Sequence, residues 1–301
     1  MFRKISLATA AVLLIVLIGT TTALAYQVVV VKSADIAPYN EAIGGFKKSC
    51  GCNITEISLS ETDPRELRRE VLGSQSSLIF AVGLDALTQT LAIRDMPLVY
   101  AMVPRPQVPD PSERFIAGVS MSISPEKYLS TIQELFPAVK RIGVVYDPKN
   151  MEQFVREAGS VAHKKGLELV TQRVTQLSEV PRAIDNIKKN ADILLMLPDT
   201  TVVNAETFKH MLDVSYQNSL PVFTFTRKYV EMGAAAGLYA APVDMGLQAG
   251  EIAHRFLQEK PPLSQPRTDL QSGRLVVNET IIRKLGTRVN SETLRKAGHV
   301  R

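Results

Sequence analysis

The 301-residue sequence predicts an α/β protein of two lobes with parallel sheets. Three observations carry this expectation. Short, nearly continuous apolar runs recur every 20 to 25 residues, helix-start signals fill the gaps between them, and the whole alternation is read twice over about 100 residues each time. Apolar strands alternating with helices indicate a parallel sheet covered on both faces. Two such units of similar size leave a cleft between them.

The first 25 residues have the pattern of a secretory signal. Arg3 and Lys4 precede an apolar stretch over 7–18, and Ala23-Leu24-Ala25 supplies the small residues of a cleavage site. Cleavage there would leave a chain starting near Tyr26. An uncleaved anchor is the alternative, but about 12 apolar residues are too few for the roughly 20 that span a bilayer. No later run approaches that length, so the remainder is expected to be soluble, without permanent membrane insertion.

In the first unit, strands are expected at 28–31, 54–59, 78–82, 98–103 and 115–119. Asp63-Pro64-Arg65-Glu66 reads as a capping box opening a helix that runs through Leu72. Ser124-Pro125-Glu126 then starts a helix and a second unit, with strands expected at 142–146, 168–174, 193–197, 222–225 and 234–239. Behind the candidate cap Asn204, residues Phe208, Met211, Leu212 and Ser215 form a core-facing helical stripe. After Tyr239 a helix carries Met245, Ala249, Ile252, Ala253 and Phe256 on one face. Pro261-Pro262 ends it, and 266–273 reads as loop. This helix has no strand of its own to follow it. The expected organisation is therefore exchange of chain between lobes, with 26–121 and about 241–263 in the first lobe and 122–240 in the second. The segment 264–301 is unassigned.

In open parallel sheets, ligands sit beyond the carboxyl ends of the strands, where helix N-termini present free N–H groups. That rule selects Ser33, Pro38 and Tyr39 after the first strand, Gly83, Leu84 and Asp85 after the third, and Met102, Val103 and Pro104 after the fourth. In the second unit it selects Tyr146 and Asp147, then Asp199, Thr200 and Thr201, then Thr224, Phe225 and Thr226, and finally Tyr239. Each also has a plainer reading. Gly83 can simply relieve a tight turn, Asp147 and Asp199 can be helix caps, and the aromatics can be packing residues. Rings, a carboxylate and free amides together would suit a small zwitterion.

Other chemistries find no support. There is no G-x-S-x-G, no phosphate-binding glycine loop and no dinucleotide fingerprint after a strand. His163, His210, His254 and His299 fall on expected helix surfaces or the tail and make no metal spacing. No catalytic residue, cofactor or metal is expected. Without Arg3 and Lys4 the formal charge falls from +5 to +3, and a basic tail over 283–301 leaves the body slightly acidic. No basic stripe interleaved with aromatics is present, so nucleic acid is not an expected partner. Cys50 and Cys52, one residue apart, are either structural groups of one turn or a redox or metal pair.

The run from Leu197-Pro198-Asp199-Thr200-Thr201 to Phe208, followed by Leu220-Pro221-Val222-Phe223, resembles the ABC transporter substrate-binding family of type I periplasmic-binding fold often assigned to tryptophan or tyrosine uptake. Gly118-Val119-Ser120, the stretch 141–148, Gly246-Leu247-Gln248-Ala249-Gly250 and Val276-Val277-Asn278 extend the likeness over nearly the whole chain after the signal. The resemblance implies two Rossmann-like lobes, a hinge of three crossovers near 120, 240 and 265, no catalysis, and closure on a ligand. It places ligand contacts at 83–86, Ser120, Tyr146, Asp199 and 224–226. The sequence departs from the family in its proline-rich 102–111 loop and in Thr226-Arg227-Lys228, where many relatives carry an acidic residue.

The expected function is capture of a small polar or amino-acid-like ligand by a periplasmic, monomeric binding protein that serves an ABC permease. A sensor or accessory module, contacting a membrane partner through the 104–111 loop and the basic tail, is the alternative.

Overall fold

A computed structural model describes residues 26–63, 65–104, 115–259 and 268–300. The expected signal segment, Pro64 of the capping box, the 105–111 part of the proline-rich loop and Pro261-Pro262 lie outside the described residues. No helix among the described residues is long and apolar enough to cross a membrane.

The first lobe begins as β1 (Gln27–Lys32), α1 (Ala37–Cys50), β2 (Asn53–Ser58), α2 (Leu67–Gly73), β3 (Leu78–Val82), α3 (Leu84–Thr90), β4 (Leu98–Val103) and β5 (Ile116–Ile123). The second follows as α4 (Pro125–Leu135), β6 (Arg141–Tyr146), α5 (Pro148–Lys164), β7 (Glu168–Arg173), α6 (Val180–Ile187), β8 (Ile193–Leu195), α7 (Ala205–Asn218), β9 (Val222–Thr224), α8 (Arg227–Glu231) and β10 (Ala236–Tyr239). Then come α9 (Pro242–Glu259), β11 (Thr268–Leu270), β12 (Arg274–Val277), α10 (Glu279–Lys284), α11 (Ser291–Lys296) and β13 (Gly298–His299).

One sheet has the order β11-β5-β4-β3-β1-β2 and is parallel throughout. The other has the order β13-β12-β10-β9-β8-β6-β7 and is parallel except where β12 runs against β10. This is the two-lobed type I periplasmic-binding fold. The apolar runs form strands because both sheet faces are covered. Val28 and Val30 meet Phe46 of α1 on one face, while Val29 and Val31 meet Leu67, Val71 and Leu87 of α2 and α3 on the other. Phe46 stacks on Phe80 of β3 at 4.0 Å.

Local signals set most helix starts. Ser124 caps α4 by accepting the Lys127 N–H, Asp147 caps α5 by accepting the Lys149 N–H, and a proline follows each. Asn204 and Thr207 form a reciprocal capping box on α7. The box expected at Asp63 is a correction. Asp63 accepts the Arg65 N–H in a tight turn, and the helix opens only at Leu67, where the apolar face first reaches the sheet.

The chain passes between the sheets three times: from β5 into α4, from β10 into α9, and from β11 to β12. The third passage lies at 271–273 rather than near 265, because residues 268–270, expected as loop, form an edge strand on β5. Neighbouring crossings are tied to one another. Ser124 N–H donates to Leu270 O (3.0 Å), and Gln248 of α9 donates to Asp269 O and accepts from Gln271 N–H. Asp244 of α9 holds Arg274 of β12 through two hydrogen bonds of 3.1 and 3.2 Å.

Helix α9 lies directly on α1. A Cβ on Gly45 would collide with the Val243 carbonyl, and one on Gly246 with the Ala42 carbonyl, so the two backbones touch where only glycine fits. Cys50 and Cys52 form a disulfide at the end of α1, across the left-handed Gly51. The His254 ring nitrogen of α9 lies 2.8 Å from the Cys50 carbonyl oxygen.

Candidate functional site

The strand ends of the first lobe gather part of the residue set selected from sequence. Gly83 at the end of β3 has φ 94°, and a Cβ there would press on Ser33 Oγ and the Tyr39 hydroxyl, so these three residues meet. Ser33 Oγ accepts the Ala86 N–H (2.9 Å), which places it as a cap on α3. Leu84 and Asp85 point outward and are exposed. Ser120 is buried within β5, three residues before its end, and its hydroxyl accepts the Ser122 N–H.

In the second lobe, the aspartates form an internal brace. Asp199 is 1% exposed, and its carboxylate accepts from Asp147 N–H (2.7 Å), Asn150 Nδ2 (2.7 Å) and Thr201 N–H (2.9 Å). Asp147 accepts from the Thr201 hydroxyl at 2.7 Å and from the Lys149 N–H. These donors hold its carboxyl below the ordinary value, the Thr201 hydroxyl first. The Tyr146 hydroxyl is likewise engaged, accepting from Arg173 Nε (3.0 Å) and donating to Glu152 (3.3 Å). Thr200 is exposed. Thr224 is fully buried, and its hydroxyl is without a hydrogen-bond partner.

Between the crossings lies a cavity of about 360 Å³. Met121, Ser122 and Ile123 enter it from the end of β5, and Ala240 and Met245 from the second crossing and α9. The second lobe supplies Tyr128 and Phe154 from the starts of α4 and α5, Met151, Pro198, and the β9 and β10 ends Phe225, Thr226, Arg227 and Tyr239. The aromatic walls brace one another: Tyr128 meets Phe154 edge-on at 5.8 Å, and Phe225 meets Tyr229 at 5.6 Å. Burial pushes the Tyr128 phenol above its ordinary value, so it stays protonated and donates to Leu238 O (3.3 Å). The Glu231 carboxylate, and more weakly Tyr239, hold the Arg227 guanidinium above its ordinary value.

Of the residues chosen from sequence, Phe225, Thr226 and Tyr239 wall this cavity. Ser33, Tyr39, Gly83 and Ala86 form a separate cluster, and Tyr146 and Asp199 turn into the second lobe's own bonding. Met121, Tyr128, Met151, Phe154, Arg227 and Met245 were not selected. Tyr128 and Met245 sit on the first turns of the crossing helices α4 and α9, Met151 and Phe154 on the first two turns of α5, Met121 within β5 and Arg227 just past β9, and their sequence signal is that of ordinary core or surface residues. Among the described residues no cluster of His, Cys, Asp or Glu could hold a metal ion.

The sequence model of the family described as ABC transporter substrate binding protein matches residues 60–301. A curated relative, the "Tyrosine-binding protein" of Clostridioides difficile (strain R20291), is 23% identical over 231 residues, covering 73% of this chain and 66% of its own length, just under two thirds. Among solved structures, a ligand-free, open substrate binding protein with adhesive properties from Clostridium difficile superposes with TM-score 0.64 at 20% identity, covering 92% of this chain and 99% of that one. An ABC domain in complex with L-Trp from Streptococcus pneumonia gives TM-score 0.50 at 20% identity, covering 92% and 100%. These two likenesses speak to the fold. The family match spans most of the chain, which therefore belongs to the ABC transporter substrate binding protein family.

Proposed function

We propose that the protein is an exported, periplasmic and monomeric solute-binding component, which captures a small ligand with an aromatic or apolar body and delivers it to an ABC permease without chemical change. The supporting observation is the cavity itself: its walls come from two of the three crossings and from the strand ends of the second lobe. Rotation of 26–121 with about 241–263 against 122–240 would reshape those walls. A ligand that fits the closed arrangement better would then draw the lobes together.

In this reading Phe225 and Tyr239 contact the ligand, with Met121, Tyr128, Met151 and Phe154 around it. The cluster of Ser33, Tyr39, Gly83, Leu84, Asp85 and Ala86 forms the opposing jaw, and Ser120, Thr200 and Thr224 flank the gap. The test is thermal unfolding of the purified protein with aromatic amino acids and aromatic acids at millimolar concentration. A ligand present at 100 times its Kd adds about 2.7 kcal/mol and a clear rise in Tm. No rise with any of these compounds would sink the proposal.

A further inference from the structure

The interlobe cavity is one-sided in charge. Arg227 is the only charged side chain among the described residues that line it, and no Asp or Glu is among them. Asp85 of the opposing jaw does not line it, and the carboxylates on the second-lobe and crossing side are committed elsewhere. Asp199 is spent on Asp147, Asn150 and Thr201, Asp147 on Thr201 and the α5 cap, and Asp244 on Arg274. Glu157 and Asp269 line a different, polar cavity of about 500 Å³, which shares with the first only Ser122, Met151 and Phe154.

An α-amino acid held between apolar rings must bury an ammonium group, and a buried charge without an opposite partner opposes binding. A carboxylate meets the reverse situation. Arg227 carries five N–H donors, of which Glu231 takes Nε (2.9 Å) and the His299 carbonyl takes one terminal nitrogen (3.3 Å). The Arg227 Nη1 lies toward Gly298 of β13, and Arg227 lines the cavity together with Tyr239. Resting on the solute-binding reading above, we propose that the ligand is an aromatic monocarboxylic acid lacking the α-ammonium group. Its ring packs among Tyr128, Phe154 and Phe225 with the Met121 and Met151 thioethers, and its carboxylate meets Arg227.

The test is calorimetric titration of the purified protein, first stripped of any carried ligand by unfolding and refolding. Probes are 3-phenylpropionate, 3-(4-hydroxyphenyl)propionate and indole-3-acetate, set against L-phenylalanine, L-tyrosine, L-tryptophan and phenethylamine. The expected result is that the acids bind at least tenfold more tightly than the matched amino acids, and that phenethylamine binds weakest. Arg227→Gln should weaken the acids tenfold or more. Thr226→Asp, which keeps an N-cap oxygen for the Tyr229 N–H while adding a carboxylate at the wall, should narrow the gap toward the amino acids. Amino acids binding as tightly as the acids, or acids indifferent to Arg227→Gln in a protein of unchanged Tm, would overturn this inference and leave solute binding intact. Heat from none of the probes would overturn both.

Discussion

Replacing Asp199 by Ala separates a ligand contact from an internal strut. The carboxylate is 1% exposed and receives three hydrogen bonds, two of them from the backbone N–H groups of Asp147 and Thr201. A hydrogen bond to a charged group is worth about 1.5 to 3 kcal/mol, and a buried donor left unpaired costs about 1 to 3. Asn150 can turn its amide toward the Thr201 hydroxyl, which it already reaches at 3.1 Å, so the two backbone donors dominate the cost. The expected destabilisation is about 4 kcal/mol, discounted for bonds that share one carboxylate. At about 2 to 4 °C per kcal/mol for a domain of this size, Tm falls by about 8 to 16 °C. Asp199→Asn, which keeps the shape but turns one acceptor into a donor, should lie between. The assay is thermal unfolding followed by circular dichroism, paired with titration of whichever ligand binds the wild type, at a temperature where both proteins are folded. Affinity should stay within twofold. A Tm within about 2 °C of wild type together with a tenfold loss of affinity would refute the brace and make Asp199 a ligand group.

The Asp147 carboxyl is held below its ordinary value of 3.8 in the folded state, so its contribution is complete above that value and is lost as pH falls below it, through the lowered folded-state value. Tm should therefore decline below about pH 4, and less steeply in Thr201→Val, as scanning calorimetry from pH 6 to 2.5 would record. Gly246→Ala drives a methyl into the Ala42 carbonyl and should cost about 1 to 3 kcal/mol by urea unfolding. Removing the disulfide with Cys50→Ser and Cys52→Ser releases only a three-residue loop, so the loss should be about 1.5 kcal/mol in the same assay.

Much of the fold is legible in the chain because its causes are local. Continuous apolar runs at 28–31 and 78–82, buried at every position, mark strands covered on both faces, and Ser124-Pro125, Asp147-Pro148 and Asn204 with Thr207 each satisfy a helix start within a few residues. Where the cause is distant the reading slips. Thr268–Leu270 has no alternating pattern and becomes a strand only because β5 offers it an open edge. The helix expected from Asp63 waits until Leu67 for a surface to bury against.

The candidate site divides in the same way. Ser33, Tyr39, Gly83 and Ala86 converge because β1 and β3 are neighbours in a parallel sheet; the alternating pattern carries the parallel direction that puts their ends at one edge, and the structure supplies the order. Asp199 and Tyr146 also stand at strand ends, yet the directions of their side chains are set by Asn150, Thr201, Arg173 and Glu152. Sequence by itself determined the α/β alternation, the doubling, the family and which strand ends could face a gap. Tertiary structure alone decided which side chains line the cavity, that Arg227 is the charge among the described residues lining it, and that Asp147 and Asp199 bond to each other's loops, because hydrogen-bond direction and the meeting of crossing helices depend on contacts between residues far apart in the chain.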